Sequence, residues 1–210
     1  MPTEVGVDGR NARATRTRDA VVAALLALIE EGDLRPTARR VAEQAGVSLR
    51  SVYVHFDDLE DLFCAAATQQ FTKISELVKP LPTRGPLDMR LDAFVDQRAR
   101  VLEAGGAVRR AAVVQAPFSP TLARVLEMAR RAGRSEIERV FRAELAGRDE
   151  AGRRTLVAVL TTMASASTWD SLRTQEHLDC PTARDLVRQM LRAMLDEHED
   201  RRAPPGSGTV

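Results

Sequence analysis

The stretch "RPTARRVAEQAGVSLRSVYVHFDDLEDLF", residues 35–63, decides the fold. Pro36-Thr37 opens a short helix, and Thr37 has the hydroxyl that suits a helix N-cap. Over about 38–45 this helix turns Val41 and Ala45 inward. Gly46 can take the positive φ of a tight turn, and Ser48 can cap a second short helix running to about Phe56. Two short helices joined by a glycine turn, the second with polar groups outward, read as a helix-turn-helix. Ala42 is small where the helices cross, and Val47 and Val52 are apolar where the pair packs on its supports. With Val52 inward, a turn of about 100° per residue aims Arg50 and Val54 away from the core. Ser51 and Tyr53 flank them, and Leu49 and His55 lie nearer the edges.

A helix of this width fits the major groove of B-form DNA. Arg50 can donate two hydrogen bonds to a guanine edge, and Val54 can touch a thymine methyl group. Tyr53, Ser48 and Thr37 offer hydroxyls to phosphate oxygens. Residues 10–18, RNARATRTR, hold Arg10, Arg13, Arg16 and Arg18 with no acid. That run reads either as a solvated tail or as an arm that follows the backbone or enters the minor groove. The expected contacts are Arg13, Arg16, Thr37, Ser48, Leu49, Arg50, Ser51, Tyr53, Val54 and His55.

These residues resemble the DNA-binding domain of the TetR family of bacterial transcriptional repressors. The resemblance rests on Thr37, Val41-Ala42, Ala45-Gly46-Val47-Ser48, Ser51, Tyr53, His55-Phe56 and Leu62-Phe63. Two positions depart from the family pattern. Arg50 stands where the family often has Gly, and Leu59, preceded by Asp57-Asp58, stands where it often has a Lys that contacts phosphate. Acids at a helix start favour capping but repel DNA, which moves weight onto Arg50 and the arginines before it.

The rest of the chain is read as helical. Apolar residues make up 44% of the 210 residues and aromatics only 4%, so a core can form but the aromatic density of strands is missing. The expected class is all-α, a three-helix helix-turn-helix domain followed by a larger helical domain. The boundaries are a flexible basic arm over 1–13, the DNA-binding domain over 14–57, a connecting helix over 58–78, a domain over 86–199 and a disordered tail over 200–210. "KPLPTRGP", residues 79–86, marks the division. Beyond it, helices are expected at about 87–104, 107–115, 120–146, 150–176 and 182–199, with Gly105-Gly106 as one of the breaks.

The 31 basic and 30 acidic residues nearly cancel, so only local charge points to a partner. No run of 18 apolar residues and no apolar leader stands in the sequence, which reads as a cytoplasmic protein with no membrane partner. Cys64 and Cys180 form no disulfide framework. No HExxH, CxxC, P-loop or GxGxxG occurs, and the residues three before His55, His177 and His198 are Val52, Thr174 and Leu195 rather than the Glu of di-iron bundles. No enzyme, metal site or cofactor is therefore expected.

The resemblance implies more. The last two long helices, within about 150–199, would pair with a second copy to make a homodimer on a pseudo-palindromic operator in double-stranded DNA. Their stripes are Leu156, Val159, Leu160, Met163, Ala164 and Ser167, then Leu186, Met190, Leu191, Met194 and Leu195; the same stripes could simply close the subunit core. The helices between would enclose a small-molecule effector, with Phe94, Arg98, Phe118, Met128, Trp169 and Arg173 as candidate contacts and Gln115 and Asp170 as polar additions. The implied function is a repressor released from its operator by that effector. A dimer without an inducer, controlled by a protein partner or by abundance, and an activator remain open alternatives.

Overall fold

The computed structural model describes residues 5–196, with side chains from residue 11 onward. Residues 1–4, the side chain of Arg10 and the tail expected over 200–210 lie outside the described residues. Among these the fold is helical, without strands. Its helices are α1 (Val5–Glu30), α2 (Ala38–Ala45), α3 (Leu49–His55), α4 (Leu59–Ser75), α5 (Leu87–Gln115), α6 (Pro120–Val140), α7 (Arg142–Leu145), α8 (Glu150–Met163), α9 (Ala166–Asp170) and α10 (Cys180–Asp196). A 3-10 turn at Ala116–Phe118 and a π-helical turn at Ser171–Gln175 complete the order. The chain divides into two compact units, residues 1–75 with 105–127, and residues 76–104 with 128–210.

In the first unit, Val21, Leu25, Leu28 and Ile29 of α1 share one core with Val41 and Ala42 of α2, Val52 and Phe56, and Leu62, Phe63 and Ala66 of α4. Ala111, Ala112 and Leu122 belong to that same core. This is why residues 105–127 join the first unit rather than the single domain expected over 86–199. The buried Ser119 adds a hydrogen bond, its hydroxyl donating to Glu60 at 2.5 Å. The basic stretch expected as a flexible arm is helical from Val5. Ala12 and Ala14 are strong helix formers, and the Thr15 and Thr17 hydroxyls donate to the carbonyls of Asn11 and Arg13 at 3.0 Å.

Gly46 has φ 66° and ψ 31° and closes α2, its N–H reaching the carbonyls of Ala42 and Glu43. Val47 N–H also donates to the Ala42 carbonyl, at 3.0 Å. A Cβ on Gly46 would meet nothing within 4 Å, so the requirement is for backbone conformation alone. Gly46→Ala is expected to destabilise the first unit by about 1–2 kcal/mol, and Gly46→Asn by less. Thermal unfolding of the three proteins measures the order.

The second unit buries Leu91, Phe94, Val95, Phe141, Leu156, Leu160, Val187, Leu191 and Leu195 among others. Phe94 meets Phe141 edge-on, ring centres 5.4 Å apart. A buried clamp ties three segments. Arg90, 3% exposed, donates to the Gly85 carbonyl at 3.1 Å, the Val140 carbonyl at 2.7 Å, and both Glu144 oxygens at 2.5 and 2.9 Å. Outside it, Asp88, Asp92 and Asp96 of α5 face Arg192, Arg188 and Arg184 of α10, one turn apart on each helix. That order fixes α5 and α10 as antiparallel.

Two expected helix boundaries are corrected. Gly105-Gly106 does not interrupt α5: glycine costs a helix only about 1 kcal/mol, and a Cβ on Gly105 would stand 2.8 Å from Ile74 Cδ1, so this glycine admits a neighbour. The single helix expected over 150–176 breaks at Ala164. Ser165 accepts from Thr168 N–H at 3.1 Å, and the Thr168 hydroxyl donates to the Thr162 carbonyl at 2.7 Å. A new N-cap thus outcompetes continuation of the helix.

Candidate DNA-reading surface

α3 is built by two local caps. Thr37 accepts from Arg40 N–H at 3.3 Å to start α2, and Ser48 accepts from Ser51 N–H at 3.0 Å to start α3. The hydroxyls of Ser48 and Ser51 also bond each other at 2.9 Å. Val52 and Phe56 are buried and anchor α3 from below. The guanidinium of Arg18 lies over the Phe56 ring, 4.9 Å from its centre; this contact joins α1 to the end of α3.

The opposite face is open. Leu49, Tyr53 and Val54 are 42, 52 and 70% exposed. Arg50 is exposed, and its guanidinium makes no hydrogen bond or ion pair with any described residue. His55 and Ser51 are half-buried. Arg13 and Arg16 are exposed on α1, and Thr37 is exposed at its cap. Leu49, Arg50, Tyr53 and Val54 therefore share one surface, while Ser48, Ser51 and Thr37 hold the helices that present it. Asp58 is occupied as a helix cap, its Oδ1 accepting from Asp61 N–H at 2.8 Å. Leu59 is half-buried and packs on the core of the first unit.

Residues 21–66 match the model of the family described as bacterial regulatory proteins, tetR family. These residues are a TetR-family domain. TetR-family proteins are DNA-binding regulators rather than enzymes. Solved structures show the TetR-like fold over most of the chain. A transcriptional regulator from Rhodococcus sp. RHA1 is 21% identical with a TM-score of 0.65, over 86% of this chain and 96% of that one. A structure assigned to the TetR family from Rhodococcus sp. is 20% identical with a TM-score of 0.64, over 86% and 99%. The multidrug binding protein EbrR, complexed with imidazole, is 21% identical with a TM-score of 0.53, over 85% and 94%. No curated protein matches the chain.

The residues expected around an effector are only partly brought together. Arg98 and Trp169 line an apolar crevice with Val95, Leu102, Met163 and Val187; it is too tight to admit a water molecule. Arg98 Nε donates to the Ala164 carbonyl at 2.8 Å. Trp169 is 3% exposed, and its indole N–H donates to Glu103 Oε1 at 2.7 Å. Arg173 Nε donates to the same oxygen at 2.8 Å, and its guanidinium also holds the Leu178 carbonyl. Phe94 is sealed in the core. Met128 is 62% exposed. Phe118 belongs to the first unit, where it is 73% exposed and lies under the Arg35 guanidinium, 5.5 Å from ring centre. Gln115 also falls in the first unit.

Glu103 escaped the sequence reading. It lies 66 residues from Trp169, and no local spacing marks a carboxylate that far from its partners. The broader opening in this unit is a groove of about 460 Å³ lined by Glu138, Arg142, Leu145, Ala146, Arg153 and Val157. None of the expected effector residues lines it. No group of three or more His, Cys, Asp and Glu among the described residues could hold a metal ion, and no described helix is long and apolar enough to cross a membrane. Burial first, then Glu60, Asp61 and Asp58, pushes the Cys64 thiol up, which favours the unreactive protonated form.

Proposed function

We propose that this chain is a homodimeric transcriptional repressor. Its two α3 helices read a pseudo-palindromic operator in double-stranded DNA, and a small-molecule effector held by the second unit releases it. The observation that carries the DNA part is the outward face of α3, where the Arg50 guanidinium bonds no described residue and Tyr53 and Val54 stand open. A single α3 makes few contacts, so a two-fold pair that spans two half-sites is the economical arrangement.

The faces of α10 support the pairing. Ala183, Val187, Leu191 and Leu195 are spent on the subunit core, and Arg184, Arg188 and Arg192 on α5. Leu186, with Val159 of α8, is left half-buried outside that core, while Met190, Met194 and Met163 of α8 pack against its edge. Leu156, Leu160 and Ala164, expected in the same stripe, close the core instead.

The effector part is supported by Arg98 and Trp169 on one crevice, by Glu103 bonded to both Trp169 and Arg173, and by the multidrug-binding description of one similar structure. An effector acts only through its differential affinity for two dimer shapes; a hundredfold release of operator corresponds to about 2.7 kcal/mol. α4 closes the first of the two segments that make up the first unit, and it is the lever in this reading. The closed crevice favours a second reading, a DNA-binding dimer without an inducer. Sedimentation with a salt-titrated gel shift tests the dimer and its DNA. A chain that stays monomeric and ignores every duplex refutes the proposal. A thermal-shift screen, with hits then tested for release of DNA, separates the two readings.

A further inference from the structure

We propose that Val54 reads thymine, its isopropyl group meeting the C5-methyl of a thymine about two base pairs from the guanine taken by Arg50. The inference rests on the DNA-reading proposal above and adds what the operator must contain. Val54 is 70% exposed, one turn after Arg50 on the same face of α3. With Val52 fully inward, Arg50 and Val54 each point within about 20° of straight outward. A β-branched residue there contributes nothing to the core and is a poor helix former, so folding gives no account of it.

The polar competition on this face is thin. The Ser48 and Ser51 hydroxyls are bonded to each other, and Ser48 also caps the helix. That leaves the Arg50 guanidinium and the Tyr53 hydroxyl, with Leu49 as a second exposed apolar neighbour. On the base edges of the major groove the apolar group is the thymine methyl. Four residues of helix advance about 6 Å, and base pairs rise about 3.4 Å each. A helix lying along the groove therefore sets the two readers about two steps apart.

The test begins with duplexes selected from a random pool by the full chain. Each thymine of the enriched half-site is then replaced by deoxyuridine, which removes the methyl and leaves the pairing intact. One thymine, near a guanine, is expected to lose about fourfold in affinity, the worth of one buried methyl group. Val54→Ala, which removes the contact from both subunits, is expected to bind the unaltered site about as weakly as wild type binds a duplex altered in both half-sites, a loss of about sixteenfold, and to become indifferent to the replacement. Arg50→Ala and Val54→Ile keep the sensitivity, which is the coupling a double-mutant cycle isolates. Val54 is exposed, so the variants should keep the wild-type melting temperature. Binding that is blind to the methyl at every thymine, or a Val54→Ala chain that still senses it, overturns the inference while leaving the regulator reading intact. A pool that yields no duplex overturns both.

Discussion

Arg90→Ala is expected to cost about 3–5 kcal/mol of stability, enough to unfold the second unit of many variants at moderate temperature. The reason lies in what remains behind. Glu144 would keep its charge with 14% of its side chain exposed and lose the guanidinium that offsets its desolvation. The Val140 and Gly85 carbonyls would each lose a donor. Replacing both partners with apolar residues of similar size, Arg90→Met with Glu144→Leu, should recover most of the loss, because no buried charge is then stranded. Urea unfolding of wild type, single and double variants decides it; a single variant as stable as wild type would show that the clamp holds nothing.

The same pair sets a pH dependence with a definite sign. Burial pushes the Glu144 carboxyl up, but the hydrogen bonds and charge of Arg90 outweigh it and hold the group below the ordinary carboxylate range. The folded state therefore releases this proton more readily than the unfolded chain. Its stabilisation is full above the unfolded value, about 4.3, and is lost as pH falls through the depressed folded value. Glu136 works the other way. Burial raises it despite Arg139, Arg98 and Gln97, so its contribution weakens as pH rises through its folded value. The difference between wild type and Glu144→Gln across the acid range isolates the first effect.

The helix-turn-helix was legible because its determinants are neighbours in the chain. Thr37, Gly46 and Ser48 act on backbone within three or four residues of themselves, and α2 starts and ends where those residues require. The second unit was less legible because its determinants are distant. Arg90 and Glu144 are 54 residues apart, and neither has a local signature. Gly105-Gly106 looked like a stop, but a glycine's preference for turns is worth less than the burial of Ala111 and Ala112 further along the same helix. Ser165 lies inside the helix expected over 150–176; its capping bond is visible only once the Thr168 amide sits beside it. The effector residues were the least legible. Phe118 was grouped with Trp169 on the family resemblance, and the fold puts it in the first unit beside Arg35.

Arg50→Ala is expected to abolish most sequence preference while sparing much of the attraction to DNA in general. A bidentate arginine–guanine contact is worth about 1–3 kcal/mol of discrimination. Two half-sites double it, so operator affinity should fall by at least about thirtyfold and by as much as about twenty-thousandfold. Non-specific affinity should fall far less, since one positive charge changes only the salt-dependent attraction to phosphates. Arg13→Ala and Arg16→Ala, on the open side of α1, should behave in the opposite way. Each lowers affinity for operator and random duplex alike and flattens the salt dependence by about two units of slope, one for each subunit. Arg50→Lys should not rescue preference, because an ammonium lacks the planar pair of donors that spans the guanine edge. Gel shifts of wild type and the four variants on operator and scrambled duplex, at two salt concentrations, separate these patterns. Equal losses on both duplexes would make Arg50 a phosphate contact, and no loss on either would leave α3 without its reader.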